Sequence, residues 1–414
     1  MKRMKGQNES SAHTSYRAWR SLRADLNGAN VAAGVTAGLW YAFGAIPIQL
    51  EAAASFDLTP EAASSWFFII WFTGAVSSIL FTLRYRQPLA ITWTIPGLVF
   101  LATVSNLYTL PEIAGASLAA GIMILALGFL GVGARLMRWL PLPIVMGMFA
   151  GSILGYATGI FEQLGAQPWV VGAAIVGYLG ARGLGRTWLP PVGGAVVAGL
   201  AAAAVAGQVH PEAFRWSLPA VVPLVPAFDP GSLLAVSVPL VVMAIGIGNV
   251  QGLGMLVNQG YRPPTNLLTI VMGINSIINA VFGGHPSTVA RNGVAILAGD
   301  DAGPRDQRYV ANLIASLFAL FLALSAMTAS ALLEVFPISL VASLAGLAIL
   351  SVLMDALQKT VATDLRLGAF FALIIAASPF TILGIGSAFW ALVGGFLVSL
   401  LLERPALAQI LRAG

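Results

Sequence analysis

The sequence predicts an all-α polytopic membrane protein of about fourteen transmembrane segments, and three observations predict it. Of 414 residues, 58% are hydrophobic and only 9% charged, with a mean hydropathy of +0.87; a soluble domain carries about a quarter charged residues. The apolar stretches are long and unbroken rather than alternating, so helices rather than a β-barrel satisfy their backbone groups in lipid. Basic residues collect in every second connection, as membrane topology requires. The net charge of +5 follows from that bias and does not point to nucleic acid.

Taken in order, residues 1–30 are polar and basic, with Lys2, Arg3, Lys5, Arg17, Arg20 and Arg23. They lack the apolar core and cleavage site of a signal peptide and read as a cytoplasmic tail. The first half, 31–207, reads as segments 31–50, 62–82, 88–106, 114–133, 141–159, 168–181 and 189–207. An extracytoplasmic loop spans 208–230. The second half, 231–402, reads as 231–257, 266–282, 284–299, 309–331, 337–356, 367–381 and 384–402, followed by a cytoplasmic tail, 403–414. Several segments are too short to cross a bilayer alone. With the N-terminus inside, Arg84, Arg86, Arg135, Arg138, Arg182, Arg186, Arg262, Arg305, Arg308, Lys359, Arg366, Arg404 and Arg412 all fall on the cytoplasmic side. Only Arg215 falls outside, and only Arg291 falls within a segment. Glu61, Glu112, Glu162, Glu212, Asp229 and Glu334 sit on the outer side. Both termini are therefore expected in the cytoplasm, with the chain in the inner membrane.

Arg135-Leu-Met-Arg-Trp-Leu-Pro141 followed by Phe149-Ala-Gly-Ser-Ile-Leu154 resembles Ala331-Leu-Leu-Glu-Val-Phe-Pro337 followed by Leu344-Ala-Gly-Leu-Ala-Ile349. One stretch begins at the inner face and the other at the outer, as two inverted repeats of seven segments require. Convergence through apolar composition is the competing explanation.

Two segments read as interrupted. The first is Gln87-Pro-Leu-Ala-Ile-Thr-Trp-Thr-Ile-Pro-Gly97. β-Branched residues ahead of a proline favour extended backbone, and proline suits a helix's first turn. A short strand leading into a half-helix from about Ile95 is expected. The second is Val281-Phe-Gly-Gly-His-Pro-Ser-Thr-Val-Ala-Arg-Asn-Gly293. Gly283-Gly284 breaks the preceding helix, and a half-helix is expected to run from the Ser287 region to Gly299. The two breaks occupy the third position of each half, which is where transporters build binding sites.

Facing helix N-termini favour an anion. Thr94, Ser287 and Thr288 add hydroxyl donors, and Trp93 offers a flat surface to an aromatic ring. Arg291, four residues after Ser287 and so expected on the same helix face, suits a carboxylate. The candidate substrate-binding residues are Thr92, Trp93, Thr94 and Gly97 from the first break, with Gly284, Pro286, Ser287, Thr288, Arg291 and Asn292 from the second. On the competing reading the prolines and glycines are packing kinks and Arg291 snorkels to the inner surface.

Gly246-Ile-Gly-Asn-Val-Gln-Gly252 adds Asn249 and Gln251 at mid-membrane depth, either lining the cavity or bonding between helices as Asn275 and Asn279 do. Tyr41 and Gln49 read as core packing, and Glu51 and Asp355 as interfacial. Of three histidines, His13 is in the tail and His210 in an outer loop. His285, at the second break, is either a proton carrier or a cap on the break. There is no cysteine, no metal-ligand cluster, no nucleophile–base pairing and no paired intramembrane acids. No cofactor, metal or catalytic residue is expected, so an enzyme is the weakest reading; a channel would conduct without saturating.

The stretch Phe282-Gly-Gly-His-Pro-Ser-Thr-Val-Ala-Arg-Asn-Gly-Val-Ala-Ile-Leu-Ala-Gly299, with the Gly246–Gly252 segment and the Thr92–Gly97 break, resembles the BenE-type benzoate:proton symporters. The resemblance covers nearly the whole chain. It implies a seven-plus-seven inverted repeat shared with nucleobase and sulfate-type transporters. It implies a core domain from segments 1–4 and 8–11 and a gate domain from segments 5–7 and 12–14, the latter a common site of homodimer pairing. The substrate would lie between segments 3 and 10. The related nucleobase symporters place carboxylates in segments 8 and 10, where this chain offers Asn249, Gln251 and the His285–Asn292 stretch. That departure fits an anion better than a neutral base. The expected activity is import of benzoate or a close aromatic carboxylate with protons, by alternating access. Uniport or exchange of another small anion is the runner-up.

Overall fold

The structure, a computed structural model, describes residues 22–131, 141–185, 190–214, 216–362, 364–383 and 385–413. His13, Arg135, Arg138, Arg186, Arg215 and the tail basic residues up to Arg20 lie outside them, as does the start of the first repeat motif. Helices dominate. Thr59 opens the helix α2 (Pro60–Tyr85) by accepting the Ala62 N–H, with Pro60 in its first turn, and Arg86 closes it in a left-handed conformation. Preceding it is α1 (Gly28–Ser55). After it come a strand β1 (Ile91–Trp93), a short helix α3 (Ile95–Thr103), α4 (Leu110–Leu130), α5 (Leu142–Ala166), α6 (Pro168–Leu184) and α7 (Pro191–Val205). The second half holds α8 (Pro230–Asn258), α9 (Thr265–Val281), strand β2 (Ser287–Val289), α10 (Arg291–Leu297), α11 (Tyr309–Leu324), α12 (Ala326–Val335), α13 (Ile338–Thr360), α14 (Arg366–Ala377), a small hairpin (Thr381–Ile382 with Ile385–Gly386), α15 (Ser387–Leu402) and α16 (Arg404–Ala413).

Among the described residues, six helices are long and apolar enough to cross a membrane, namely α1, α2, α4, α5, α8 and α13. The pair α11–α12, bent by 62°, makes a seventh if counted as one span. The remaining expected segments are shorter helices or strand–half-helix units. Two regions depart further from a plain helix. Both α1, at Tyr41–Ala45, and α8, at Leu233–Ser237 and Val242–Asn249, widen into π-helical turns. Such turns are rare and collect at functional sites.

The loops form two clusters at opposite ends of α2. At its C-terminal end Arg86 bonds Asp25 and the Tyr309 hydroxyl, both at 2.7 Å, and Gln87 donates to the Arg262 carbonyl. At its N-terminal end Ser65 accepts the Val222 N–H, and Ser64 that of Ala220. Close helix packing rests on glycine. A Cβ at Gly147 or Gly151 of α5 would strike the Ala369 or Leu373 carbonyl of α14, and one at Gly273 of α9 would strike the α4 backbone at Leu125. Small residues at such crossings replace the hydrophobic drive that lipid removes.

The two strands pair antiparallel in mid-structure, with Ile91 opposite Val289, Thr92 opposite Thr288 and Trp93 opposite Ser287. Gly74 of α2 lets β1 lie against it, since a Cβ there would sit 3.0 Å from Thr92 Cα. The outer edges of the ribbon are satisfied by side chains. Ser78 both accepts the Ile91 N–H (2.6 Å) and donates to the Ile91 carbonyl (2.9 Å). Ser276 accepts the Ser287 N–H (2.9 Å), and Asn249 the Val289 N–H (3.1 Å). An unpaired backbone group away from water costs several kcal/mol, which is why a strand survives here only with these partners.

The second break differs from its sequence expectation. Ser287 and Thr288 lie on β2, and the helix begins only at Arg291, so Ser287 and Arg291 do not share a helix face. The β-branched Thr288 and Val289, pairing with β1, hold the chain extended for three residues longer.

Candidate functional site

A cavity opens where the strand ribbon meets α1, α2, α5, α8, α10 and α13. Its empty space, open mouth included, is about 680 Å³. One wall is aromatic. Trp40 and Tyr41 of α1, Trp71 of α2, Trp93 of β1 and Phe149 of α5 form it. Their rings interlock: Tyr41 and Trp71 lie 5.3 Å apart, and Trp71 meets Trp93 edge to face at 5.5 Å. Gln49 is buried and accepts the Trp71 indole N–H at 3.0 Å, which fixes that ring.

Another part of the lining wall is polar. Thr92, Thr94 and Thr288 bring hydroxyls, and Arg291, Asn292 and Asp355 bring charge and amide. The π-turn of α8 supports this wall. It leaves the Ala244 carbonyl to accept the Thr288 hydroxyl at 2.7 Å, and Gly248 lies so close that a Cβ would collide with Thr288 Oγ1.

Arg291 is the first residue of α10, where the helix dipole disfavours a cation. It is compensated by side chains of other helices. Its guanidinium donates to Asp355 of α13, to Gln251 Oε1 of α8 (2.9 Å) and to Asn292 Oδ1 (3.3 Å). Lys359, one turn beyond Asp355, also binds Asp355 (3.1 Å) and Gln251 Oε1 (2.8 Å). The far end of α10 is capped by Arg308, which is almost fully buried and donates to the Ala298 carbonyl at 2.7 Å.

Of the residues singled out in the sequence, Thr92, Trp93, Thr94, Thr288, Arg291 and Asn292 line the cavity together. Gln251 reaches it through Arg291. Asn249 instead anchors β2, while Ser287 donates to the Thr92 carbonyl at 2.7 Å inside the ribbon. Pro286 accepts the Thr94 N–H. Gly97 and Gly284 are packing positions, against Leu240 and Ile70. His285 is fully buried and accepts the Trp66 indole N–H through Nδ1 at 3.1 Å, so its own proton sits on Nε2. It packs edge-on against Trp93, which lines the cavity while His285 does not. Asn275 and Asn279 bond α9 to Ser77 and Thr73 of α2.

The sequence reading missed Trp40, Tyr41, Trp71, Phe149, Asp355 and Lys359 as wall or support residues. For Asp355 a signal existed. An intramembrane arginine requires a partner, and Asp355 with Lys359 at i+4 forms an ion pair within an otherwise apolar helix. For the aromatic residues no local signal separates cavity wall from core.

Comparison with known proteins identifies the family. The family profile described as Benzoate membrane transport protein (BenE) matches residues 24–401. The benzoate membrane transport protein of Acinetobacter baylyi is 27% identical over 395 residues, 93% of this chain and 98% of that protein. The inner membrane protein YdcO of Escherichia coli K12 is 29% identical over 349 residues, 83% of this chain and 88% of that protein. The solved transmembrane domain of a cyanobacterium bicarbonate transporter, BicA, shares the fold, with a TM-score of 0.52 at 17% identity, covering 90% of this chain and 96% of that one. A match spanning nearly every described element places the chain in the benzoate membrane transport (BenE) family, whose members are multi-pass membrane transporters and not enzymes.

Proposed function

We propose that the protein imports benzoate or a closely related aromatic carboxylate together with protons across the inner membrane, by alternating access. The observation that carries this reading is one cavity lined both by aromatic rings and by Arg291. A benzoate ring would lie against Trp71 and Trp93, and its carboxylate would meet the guanidinium, with the Thr92, Thr94 and Thr288 hydroxyls alongside. The named benzoate transporter among the relatives supports the substrate class.

On this reading the fourteen segments form two inverted repeats. Segments 1–4 and 8–11 make a core that rocks against a gate of segments 5–7 and 12–14. Support comes from the paired breaks at β1–α3 and β2–α10, and from the loop clusters at the two ends of α2. The cluster holding Arg86, Arg262 and Arg305 would be cytoplasmic, with both termini. His285 or Asp355 would carry the proton. That His285 lies outside the cavity favours, as a second reading, uniport or exchange without a proton.

The test is uptake of labelled benzoate into proteoliposomes with and without an inward proton gradient, against empty vesicles because the neutral acid leaks. Saturable, gradient-driven accumulation is expected. Saturable uptake that ignores the gradient selects the second reading, and uptake equal to empty vesicles removes benzoate as the substrate.

A further inference from the structure

The polar wall holds one cation, Arg291, and one carboxylate, Asp355, and a second cation, Lys359, binds the carboxylate. Arg291 and Lys359 both bind the same oxygen of Asp355, Oδ2, and both bind Oε1 of Gln251. Counted together, Arg291 (+1), Lys359 (+1) and Asp355 (−1) leave one positive charge unmatched. The neighbours that complete the cluster, Gln251, Asn292 and Met146, are neutral. Among the described residues no other ion pair reaches these three groups.

Arg291 and Asp355 line the cavity and their side chains keep 22% and 31% of their surface open, so an anion arriving there can reach them. Arg291 stands on α10, beside Gln251 of α8, whereas Asp355 and Lys359 stand on α13. The cluster therefore ties two parts of the cavity wall that belong to different helices.

Resting on the reading of this cavity as a carboxylate site, we infer that Asp355 is a built-in competitor of the substrate. The incoming carboxylate takes Arg291, and Asp355 is handed to Lys359, already within bonding distance. Every charge is then matched: substrate with Arg291, Asp355 with Lys359. No uncompensated charge is left in the wall, which a low-dielectric site tolerates poorly. The same exchange cuts the link between α10 and α13, so occupancy of the site and release of that link become one event. Lys359 is a positioning residue in this scheme, and Asp355 sets affinity by occupying the guanidinium.

The scheme predicts opposite signs for two substitutions on one helix face. Purified protein is titrated with benzoate at fixed pH, with quenching of tryptophan fluorescence as the readout; Trp40, Trp71 and Trp93 line the cavity. Asp355→Asn removes the competitor and is expected to bind benzoate roughly tenfold tighter. Lys359→Met leaves Asp355 no second partner and is expected to bind roughly tenfold weaker, with Lys359→Arg restoring affinity. A purely structural role for the cluster moves both variants the same way, toward weaker binding. Should Asp355→Asn not survive purification, the Lys359 pair decides by loss and rescue. Native protein that binds while Asp355→Asn binds no tighter, or while Lys359→Met binds as well as native, overturns the exchange alone. Native protein that shows no saturable quenching overturns the benzoate reading beneath it.

Discussion

The two strand-to-helix breaks share a backbone plan and differ in chemistry. At the first, Thr94 caps α3 by accepting the Gly97 N–H at 3.2 Å, and Pro96 has no N–H to offer. The start of that helix is largely satisfied by its own chain. At the second, Ala290 precedes α10 and caps nothing, and the first helical residue is a cation held by Asp355 of another helix. One break is a finished wall that presents Trp93. The other is an unfinished one whose balance comes from another helix. The difference teaches where each part of recognition sits: ring contact at the first break, charge at the second.

Four substitutions test that division. The largest effect is expected from Arg291→Ala, which removes the only arginine lining the cavity among the described residues. Benzoate affinity should fall roughly a hundredfold, about 3 kcal/mol, measured by saturable uptake or by titration. A drop no larger than that of Thr94→Val would move the charge recognition elsewhere. Next come the edge serines. Ser78→Ala and Ser276→Ala each strand a backbone group of the ribbon and should cost about 2 kcal/mol of stability, seen as a lower melting midpoint. Neither residue touches the cavity, so affinity in the surviving folded protein should stay near native. Affinity loss comparable to Arg291→Ala would show that the ribbon is more than a scaffold. The smallest effect is expected from Thr94→Val, which removes a cap worth about 1 kcal/mol and one cavity hydroxyl. Its melting midpoint should fall less than that of either serine variant.

Much of this was legible in advance because its causes are local. Pro88, Pro96 and the β-branched Ile91, Thr92 and Thr94 mark an extended stretch before a helix, and the structure places a strand and a helix there. Gly283, at φ 78°, ends α9 in a conformation other residues avoid. The position of the second half-helix was less legible. Ser287 to Val289 could continue either as helix or as strand, and pairing with Ile91–Trp93 made the choice. The π-turns at Tyr41 and Val242 have no pattern in the residues themselves. Asp355 looked interfacial because it stands at the end of the expected segment 337–356, and α13 runs on through Thr360, which is itself buried.

The sequence by itself determined the solvent, the helical class, the two broken segments and the one cation stranded between loops. Each of these depends on transfer free energies and backbone preferences that a residue carries with it. Only the tertiary structure decided that Arg291 would meet Asp355, 64 positions away, that Lys359 would share the same oxygen, and that Trp71 and Tyr41 would face the cavity instead of lipid. A charge takes the partner nearest in space, and in a chain this apolar the faces turned to lipid, to core and to cavity are written in the same residues.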